Sequence, residues 1–243
     1  MSSDQPRRVC LLTGAGGRLG SVFCATQADE YDIVAVYRHR HPPVPSQLQS
    51  LVDPLDPDTP PYTGGSVFAV QADLAMPGQV ERVVELALAR FGHVDLLVNA
   101  AAAAEFGSTL ANSHLLDTAL QQFHLNTVLP ARLAAVLARE YWRDTPGENR
   151  IRNRSVVNMS SISGVETYVS QGIYGASKAA LNALTRHMAR DFQQVGVRVN
   201  ALAPTGFPLI IPTERVVARI RQLDCGDANG AVIVMDAAGE RFL

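Results

Sequence analysis

A glycine-rich segment near the amino terminus reads Thr13-Gly14-Ala15-Gly16-Gly17-Arg18-Leu19-Gly20 and follows an apolar run at residues 9–12. It opens a stretch with helical character at 18–29, so it occupies a strand-to-helix turn. Glycines there let the backbone approach a pyrophosphate, whose charge meets free N–H groups at the helix amino terminus. We therefore predict a dinucleotide-binding fold whose cofactor contacts include Gly14, Gly16, Gly17, Arg18, Leu19 and Gly20.

The rest of the chain repeats the same strand-then-helix order. Apolar, β-branched runs predict strands at 9–13, 33–37, 67–71, 94–99, 155–160, 197–202 and 231–236. Helical spacing predicts helices at 18–29, 80–91, 116–142 and 173–194, the third of them kinked at Pro130. Strands that are apolar throughout are buried on both faces. The pattern predicts an α/β, single-domain Rossmann fold over residues 1–243, with a doubly wound, seven-stranded parallel sheet and helices on both faces.

One proline-rich segment interrupts this order, because residues 41–61 hold seven of the chain's 14 prolines. Proline fixes φ and removes a backbone donor, which prevents the helix that would normally fill such a crossover. We expect an irregular excursion over about 41–65, with at most a short helix at 47–52. Both a surface loop without function and a lid or partner-binding segment are compatible with this composition.

Charge and cysteine content argue against several classes of partner and of structural site. The 21 Lys and Arg residues nearly balance the 23 Asp and Glu residues, which does not favour nucleic acid or an anionic membrane as a partner. Cys10, Cys24 and Cys225 form no CxxC pair, so we expect buried free thiols, no disulfide framework and no metal site. No apolar run has membrane-spanning length, and the polar amino terminus lacks the apolar part of a signal peptide. We expect a soluble cytoplasmic protein.

The end of the second predicted strand indicates which dinucleotide is bound. An NAD site usually has Asp or Glu there to bind the ribose 2′-hydroxyl, whereas this chain reads Tyr37-Arg38-His39-Arg40. Guanidinium groups bind phosphate bidentately and keep their charge. We predict that Arg38, His39 and Arg40 form a 2′-phosphate pocket and that the cofactor is NADP(H).

Polar or small residues follow the other predicted strands. Asp73 and Leu74 come after the third strand, where a carboxylate can accept from the adenine amino group, although such an Asp is also a common helix N-cap. Asn99 ends the fourth strand, where its amide can tie neighbouring strand ends together and support the cofactor ribose. The remaining predicted cofactor contacts are Ala100, Pro204, Gly206 and Phe207.

A tyrosine and the chain's single lysine stand four residues apart, at Tyr174 and Lys178. In a helix the two side chains share one face. A nearby ammonium favours the phenolate and lowers the tyrosine pKa, which turns a poor acid–base group into a useful one. Ser161, at the end of the fifth predicted strand, is placed to hydrogen-bond a carbonyl or developing alkoxide oxygen.

Together these residues resemble the short-chain dehydrogenase/reductase family over nearly the whole chain. The family's ordered pattern is matched by residues 13–20, Asp73, Asn99, Asn126, Ser161, Tyr174 and Lys178. The resemblance implies that Asn126, Ser161, Tyr174 and Lys178 are catalytic and that Tyr174 and Lys178 also contact the cofactor. Asn126 would hold the helix backbone open for a water that relays protons to Lys178. The implied activity is NADPH-dependent transfer of hydride to a C=O or C=N group of a small molecule.

Departures from the family pattern leave alternatives open. Arg18 resembles the turn of the pteridine reductase branch, but that branch has Asp where this chain has Ser161. The family's Asn-Asn-Ala-Gly stretch reads Asn99-Ala100-Ala101-Ala102, and its Pro-Gly reads Pro204-Thr205-Gly206. A non-catalytic NADP(H)-binding protein and an epimerase or dehydratase remain as rivals. The resemblance also implies a homodimer or homotetramer assembled through the helices at 116–142 and 173–194.

Overall fold

Strands and helices follow one another largely as the sequence predicts. The computed structural model describes residues 7–45, 64–109 and 114–243. Its first half contains β1 (Arg8–Thr13), α1 (Arg18–Gln27), β2 (Tyr31–Tyr37), β3 (Val67–Gln71), α2 (Gln79–Phe91) and β4 (Leu96–Asn99). Its second half contains α3 (His114–Asp117), α4 (Ala119–Phe123), α5 (Leu129–Glu140), α6 (Pro146–Ile151), β5 (Ser155–Met159), α7 (Gly172–Phe192), β6 (Arg198–Pro204), α8 (Thr213–Cys225), β7 (Val232–Met235) and β8 (Glu240–Phe242).

The strands form one sheet in the order β3-β2-β1-β4-β5-β6-β7-β8. Strands β1 to β7 are parallel, which confirms the predicted α/β Rossmann architecture. The predicted strand number was too low, because β8 pairs antiparallel with β7 and makes eight strands within the described residues. From β1 the chain adds β2 and β3 on one side of the sheet and then returns to add β4 on the other side of β1. This switch leaves a crevice at the carboxyl ends of β1 and β4.

Each face of the sheet is covered by its own group of helices. On one face, α2, α5 and α7 pack through apolar side chains that include Val83, Leu133 and Met188. On the other face, α1 and α8 pack through side chains that include Phe23 and Ile220. Helices therefore bury both faces of the central strands, which is why those strands read as continuous apolar runs.

The prediction of one continuous helix over 116–142 is wrong. The structure divides it into α3, α4 and α5, with a π-helical turn at His124–Val128. Pro130, in the first turn of α5, has no N–H to donate to the carbonyl of Asn126, so regular α-helical bonding cannot continue through this point. The break therefore lies around Asn126 and precedes the proline.

Buried ion pairs fix the amino-terminal ends of the strands, at the edge of the sheet opposite the crevice. Arg8 binds both carboxylate oxygens of Asp224, through Nε at 3.0 Å and Nη2 at 2.7 Å. Arg152 binds Asp95 in the same bidentate way, at 2.6 and 2.7 Å. The fully buried Arg154 also donates to Asp95, at 3.2 Å. These fork-shaped contacts require guanidinium groups and not ammonium groups.

Two further predictions concern peripheral features. Cys10 and Cys24 are buried free thiols as expected, but Cys225 is exposed because it ends α8 at the protein surface. The predicted helix at 47–52 and most of the excursion at 41–65 lie outside the described residues. Within the described ranges, no helix combines the length and the apolar character needed to cross a membrane.

Candidate active site

Side-chain hydrogen bonds join the strand ends on either side of the crevice. Thr13 lies opposite Asn99 in the sheet, and its Oγ1 accepts from the backbone N–H groups of Ala100 at 3.0 Å and Ala101 at 3.1 Å. Asn99 Nδ2 donates to Asn158 Oδ1 on β5 at 2.9 Å. Asn99 thus ties two strand ends together, as its position in the sequence suggests.

The glycine-rich turn lies directly against neighbouring backbone. Gly14 has φ of +70°, and a Cβ there would stand 2.8 Å from the backbone of Ala100. A Cβ on Gly16 would lie 1.9 Å from the carbonyl oxygen of Arg40, and one on Gly20 would lie 2.5 Å from the Gly14 oxygen. The turn leaves room only for backbone and begins a helix, so the residues present fit a pyrophosphate group.

Alanine at Gly16 is expected to weaken cofactor binding by at least about tenfold, because its methyl group must displace the backbone of Arg40. Fluorescence titration of NADPH measures the change in Kd. The matched control is Gly147→Ala, since a Cβ at Gly147 meets no atom within 4 Å. Unchanged NADPH affinity in Gly16→Ala would show that this close approach does not shape the site.

A cleft of about 660 Å³ runs from the glycine-rich turn past the ends of β2 and β3. Its predicted cofactor contacts are Gly14, Gly16, Gly17, Arg38, His39, Arg40, Asp73, Leu74 and Ala100. The Arg38, His39 and Arg40 side chains are exposed at one end of it. Asp73 lies across from Arg38, with 4.0 Å between Oδ2 and Nη1, and its Oδ1 accepts from the N–H of Ala75 at 3.1 Å. Asp73 therefore caps its own turn while lining the cleft.

A second cleft of about 640 Å³ shares Gly14, Gly17, Ala100 and Ala102 with the first, so the two adjoin above the turn. The other predicted site residues that line it are Arg18, Leu19, Gly20, Ser161, Tyr174, Lys178, Pro204, Gly206 and Phe207. The structure thus brings the predicted cofactor and catalytic residues to one continuous surface, with the exception of Asn99 and Asn126, which are buried and line neither cleft.

Tyr174 and Lys178 occupy one face of α7 beneath this second cleft. Lys178 is 2% exposed, and its Nζ donates to the Met159 carbonyl at 2.8 Å. Burial lowers the pKa of Lys178 to about 8. Burial raises the pKa of Tyr174, and a side-chain hydrogen bond with Ser161 opposes that rise. Desolvation is therefore the larger influence on the pKa of Tyr174, and the Lys178 ammonium is bonded to the Met159 carbonyl of β5.

The turn that carries Ser161 packs against α7 through two glycines. A Cβ on Gly164 would stand 2.7 Å from the backbone carbon of Lys178, and one on Gly175 would stand 2.5 Å from the Ser163 oxygen. The turn and the helix therefore touch backbone to backbone. This contact sets the position of Ser161 relative to Tyr174.

Asn126 lies beside the site and not in its lining. It is completely buried, and its side chain accepts from the Ala103 N–H and donates to the Ala103 carbonyl, both at 2.8 Å. Its Nδ2 also donates to Ser177 Oγ at 3.0 Å. Asn126 therefore connects the loop after β4 to α7, one residue before Lys178.

Two residues of this cleft, Ser163 and Gln171, were not predicted from the sequence, and the contact that Phe106 makes there was not predicted either. Ser163 Oγ donates to Gln171 Oε1 at 2.5 Å, and Ser163 also contacts Ser161 Oγ through its N–H at 3.2 Å. The Phe106 ring meets the Tyr174 ring edge-on, with 5.3 Å between centroids. Ser163 and Gln171 are eight positions apart and Phe106 and Tyr174 are 68 apart, and no spacing rule connects either pair.

Comparison with known sequences identifies relatives of this chain. A family model described as short chain dehydrogenase matches residues 8–210. A 3-oxoacyl-(acyl-carrier-protein) reductase from Staphylococcus epidermidis is 28% identical over 195 residues, covering 80% of this chain and 72% of that protein. A hydroxynaphthalene reductase from Aspergillus fumigatus is 29% identical over 201 residues, covering 82% of this chain and 66% of that protein.

Solved structures share the fold. A short chain dehydrogenase from Mycobacterium avium superposes with a TM-score of 0.77 and 25% identity, covering 98% of this chain and 84% of that one. A 4-hydroxyisoleucine dehydrogenase complexed with NADH and succinate gives a TM-score of 0.71 at 21% identity, covering 94% of this chain and 98% of that one. The second likeness concerns the fold alone.

Proposed function

The chain belongs to the short-chain dehydrogenase/reductase family of oxidoreductases, which bind a nicotinamide cofactor, and from this premise we propose that it is an NADPH-dependent reductase of small carbonyl compounds. One observation carries the proposal. Ser161, Tyr174 and Lys178 line a single cleft that adjoins the glycine-rich turn. A site that only bound a dinucleotide would have no need of a proton donor at this place.

The cofactor is held by the residues that line the two clefts. Backbone N–H groups of the turn and the Arg18 guanidinium would hold the pyrophosphate, Asp73 would hold the adenine end, and Lys178 would hold the nicotinamide ribose. When bound, the reduced cofactor would supply the hydride that a carbonyl carbon accepts, and the protein would supply the proton that completes the alcohol.

The protein side chains manage the carbonyl oxygen and its proton. Ser161 donates a hydrogen bond that orients and polarises the carbonyl. Tyr174 gives its phenolic proton to that oxygen, and burial, which raises the pKa of Tyr174, favours the protonated phenol that this step needs. Lys178 stabilises the resulting phenolate, while Asn126 maintains the path by which a proton returns to Lys178.

The same proposal includes a homo-oligomer and a cytoplasmic location. Leu116, Leu120 and Val128 are 55%, 83% and 50% exposed around α3 to α5, where the resemblance places the subunit interface. Exposed apolar side chains of this kind are typical of a surface that another subunit covers.

Cofactor preference depends on Arg38 and Arg40. Replacing both by alanine is expected to lower kcat/KM for NADPH by about 100-fold and to leave kcat/KM for NADH nearly unchanged, because each guanidinium binds only the 2′-phosphate. Initial rates with both cofactors at matched carbonyl concentration measure this ratio.

The control for this experiment is Arg139→Ala, because Arg139 is an exposed arginine on α5, away from both clefts. Equal turnover of wild-type protein with NADH and NADPH would contradict the assignment of NADP(H). Tight NADPH binding without consumption across a broad carbonyl panel would instead favour a non-catalytic binding protein.

A further inference from the structure

The wall of the second cleft beyond the catalytic side chains is apolar. Phe106, Tyr168 and Ile210 line its outer part, and Ile162 and Phe207 line its inner part. Ile210 is placed by a turn in which its N–H donates to the Gly206 carbonyl at 2.9 Å, and its Cδ1 lies 3.6 Å from where a Cβ on Gly206 would stand. The apolar wall therefore begins at the cofactor side of the cleft and continues to its mouth.

Three polar side chains on this wall, Ser163, Gln171 and Tyr168, already have hydrogen-bond partners within the protein. Ser163 Oγ donates to Gln171 Oε1 at 2.5 Å. The Tyr168 hydroxyl donates to Glu166 at 3.0 Å, and Glu166 also forms an ion pair with Arg241 of β8. These contacts occupy the Oε1 of Gln171 and turn the Tyr168 hydroxyl towards Glu166, so Tyr168 presents chiefly its ring carbons to a ligand.

Charge on the cleft is confined to its cofactor side. Among residues 7–45, 64–109 and 114–243, no Asp or Glu lines this cleft, and its charged lining residues are Arg18 and Lys178. Arg18 begins α1 at the glycine-rich turn, and Lys178 is buried under Tyr174. The outer half offers no fixed charge to a substrate, and burying a charged group there without a partner is costly.

The mouth of the cleft leaves large apolar side chains in water. Phe106 and Ile210 are each 55% exposed, and Tyr168 is 39% exposed. A ligand that reaches past Tyr174 towards Ile210 removes this surface from water, which favours binding in proportion to the apolar area covered. A short carbonyl compound would leave the same surface exposed.

We propose that the substrate is an uncharged ketone or aldehyde with an extended apolar body, which runs from Tyr174 out to Ile210. This inference rests on the proposed carbonyl reduction. It excludes keto acids and sugar phosphates as preferred substrates, because neither type of anion finds a partner on the outer wall.

A series of straight-chain methyl ketones tests the substrate class on the whole protein with NADPH. We expect kcat/KM to rise by about fourfold for each added methylene until the chain passes Ile210, since each buried methylene contributes nearly the same transfer free energy. The keto acid of matching length should be at least about tenfold poorer, because its carboxylate loses water without gaining a partner.

The Ile210→Asn variant tests whether the dependence of kcat/KM on chain length arises at the outer wall. It should lower kcat/KM for the longest ketone by about tenfold and change that for the shortest by less than about twofold. The control is Leu209→Asn, since Leu209 is 94% exposed and does not line the cleft. Calorimetric binding of the same ketones to the Tyr174→Phe protein loaded with NADPH should show the same length dependence without turnover.

The outcomes separate the two proposals. No NADPH oxidation with any ketone or keto acid would overturn the proposed function itself. Turnover that is independent of chain length, or that is faster with the keto acid, would retain carbonyl reduction and overturn the apolar substrate class. Faster turnover of the keto acid that disappears in Arg18→Ala would assign substrate recognition to Arg18 instead.

Discussion

The Tyr174→Phe variant is expected to lose about a thousandfold in kcat for NADPH-dependent carbonyl reduction while its Kd for NADPH stays within about twofold. The substitution removes one hydroxyl and keeps the ring, so the edge-on contact with Phe106 and the Lys178 bond to Met159 both remain. The proton donor and its hydrogen bond with Ser161 are lost. Stopped-flow measurement of NADPH oxidation and fluorescence titration of NADPH binding separate these two quantities.

A second phenol provides the matched control for this variant. Tyr141 lies far from the clefts, and its hydroxyl accepts from Arg154 at 3.0 Å in the buried ion-pair network. Tyr141→Phe should cost about 1 kcal/mol of unfolding free energy and little activity. Full activity in Tyr174→Phe would assign proton transfer to another group and reject the mechanism.

Parallel-sheet geometry explains why so much of the site follows from the sequence. Carboxyl ends of parallel strands meet at one edge, so Thr13, Asn99 and Asn158 come together in consecutive positions of the sheet. A glycine turn after the first strand and an arginine pair after the second necessarily face the same crevice. Helical spacing then brings Tyr174 and Lys178 together, because residues four apart share a face.

Features that depend on contacts between distant segments cannot be predicted from sequence spacing. Spacing does not show that Lys178 bonds to the Met159 carbonyl or that burial raises the pKa of Tyr174. Pro130 predicts an irregular helix, but it does not predict the π-helical turn around Asn126. The Ser163–Gln171 hydrogen bond depends on how a surface turn folds back onto α7, which no periodicity encodes.

Strand β8 illustrates the same limit at the edge of the sheet. Its residues Glu240–Phe242 are all exposed and too few to show alternation. The strand forms because its backbone bonds to β7, and the Arg219–Glu240 ion pair at 2.9 Å connects it to α8. An edge strand of three exposed residues differs from a loop only in its tertiary partners.

The hydrogen bonds of the single lysine differ in geometry from those of the buried arginines. Arg8 and Arg152 each bind both oxygens of a carboxylate, which an ammonium group cannot do. Lys178, which is 2% exposed, donates through its Nζ to a single backbone carbonyl. Arginines therefore bind carboxylates at the amino-terminal ends of the strands, and the lysine binds a backbone carbonyl at the carboxyl-terminal ends.

Replacing Lys178 by Arg is therefore expected to lower kcat/KM for NADPH by about 100-fold or more. The planar guanidinium is wider than the ammonium, and the backbone of Lys178 is already in tight contact with Gly164. A fork of donors also cannot reproduce the single bond to Met159 without moving α7 or β5. Steady-state kinetics together with thermal unfolding separate a loss of activity from a loss of folding.

The pH dependence of the wild-type enzyme supplies an independent readout of the same residue. Because burial lowers the pKa of Lys178 to about 8, the ammonium is present below that pH and is lost as the pH rises through it. kcat/KM for NADPH reports the free enzyme and should therefore fall above about pH 8. In Lys178→Arg the remaining activity should lack this inflection, because guanidinium keeps its proton throughout the range. An unchanged inflection in that variant would assign the titration to a different group, and full activity would show that the site needs only a positive charge and not an ammonium.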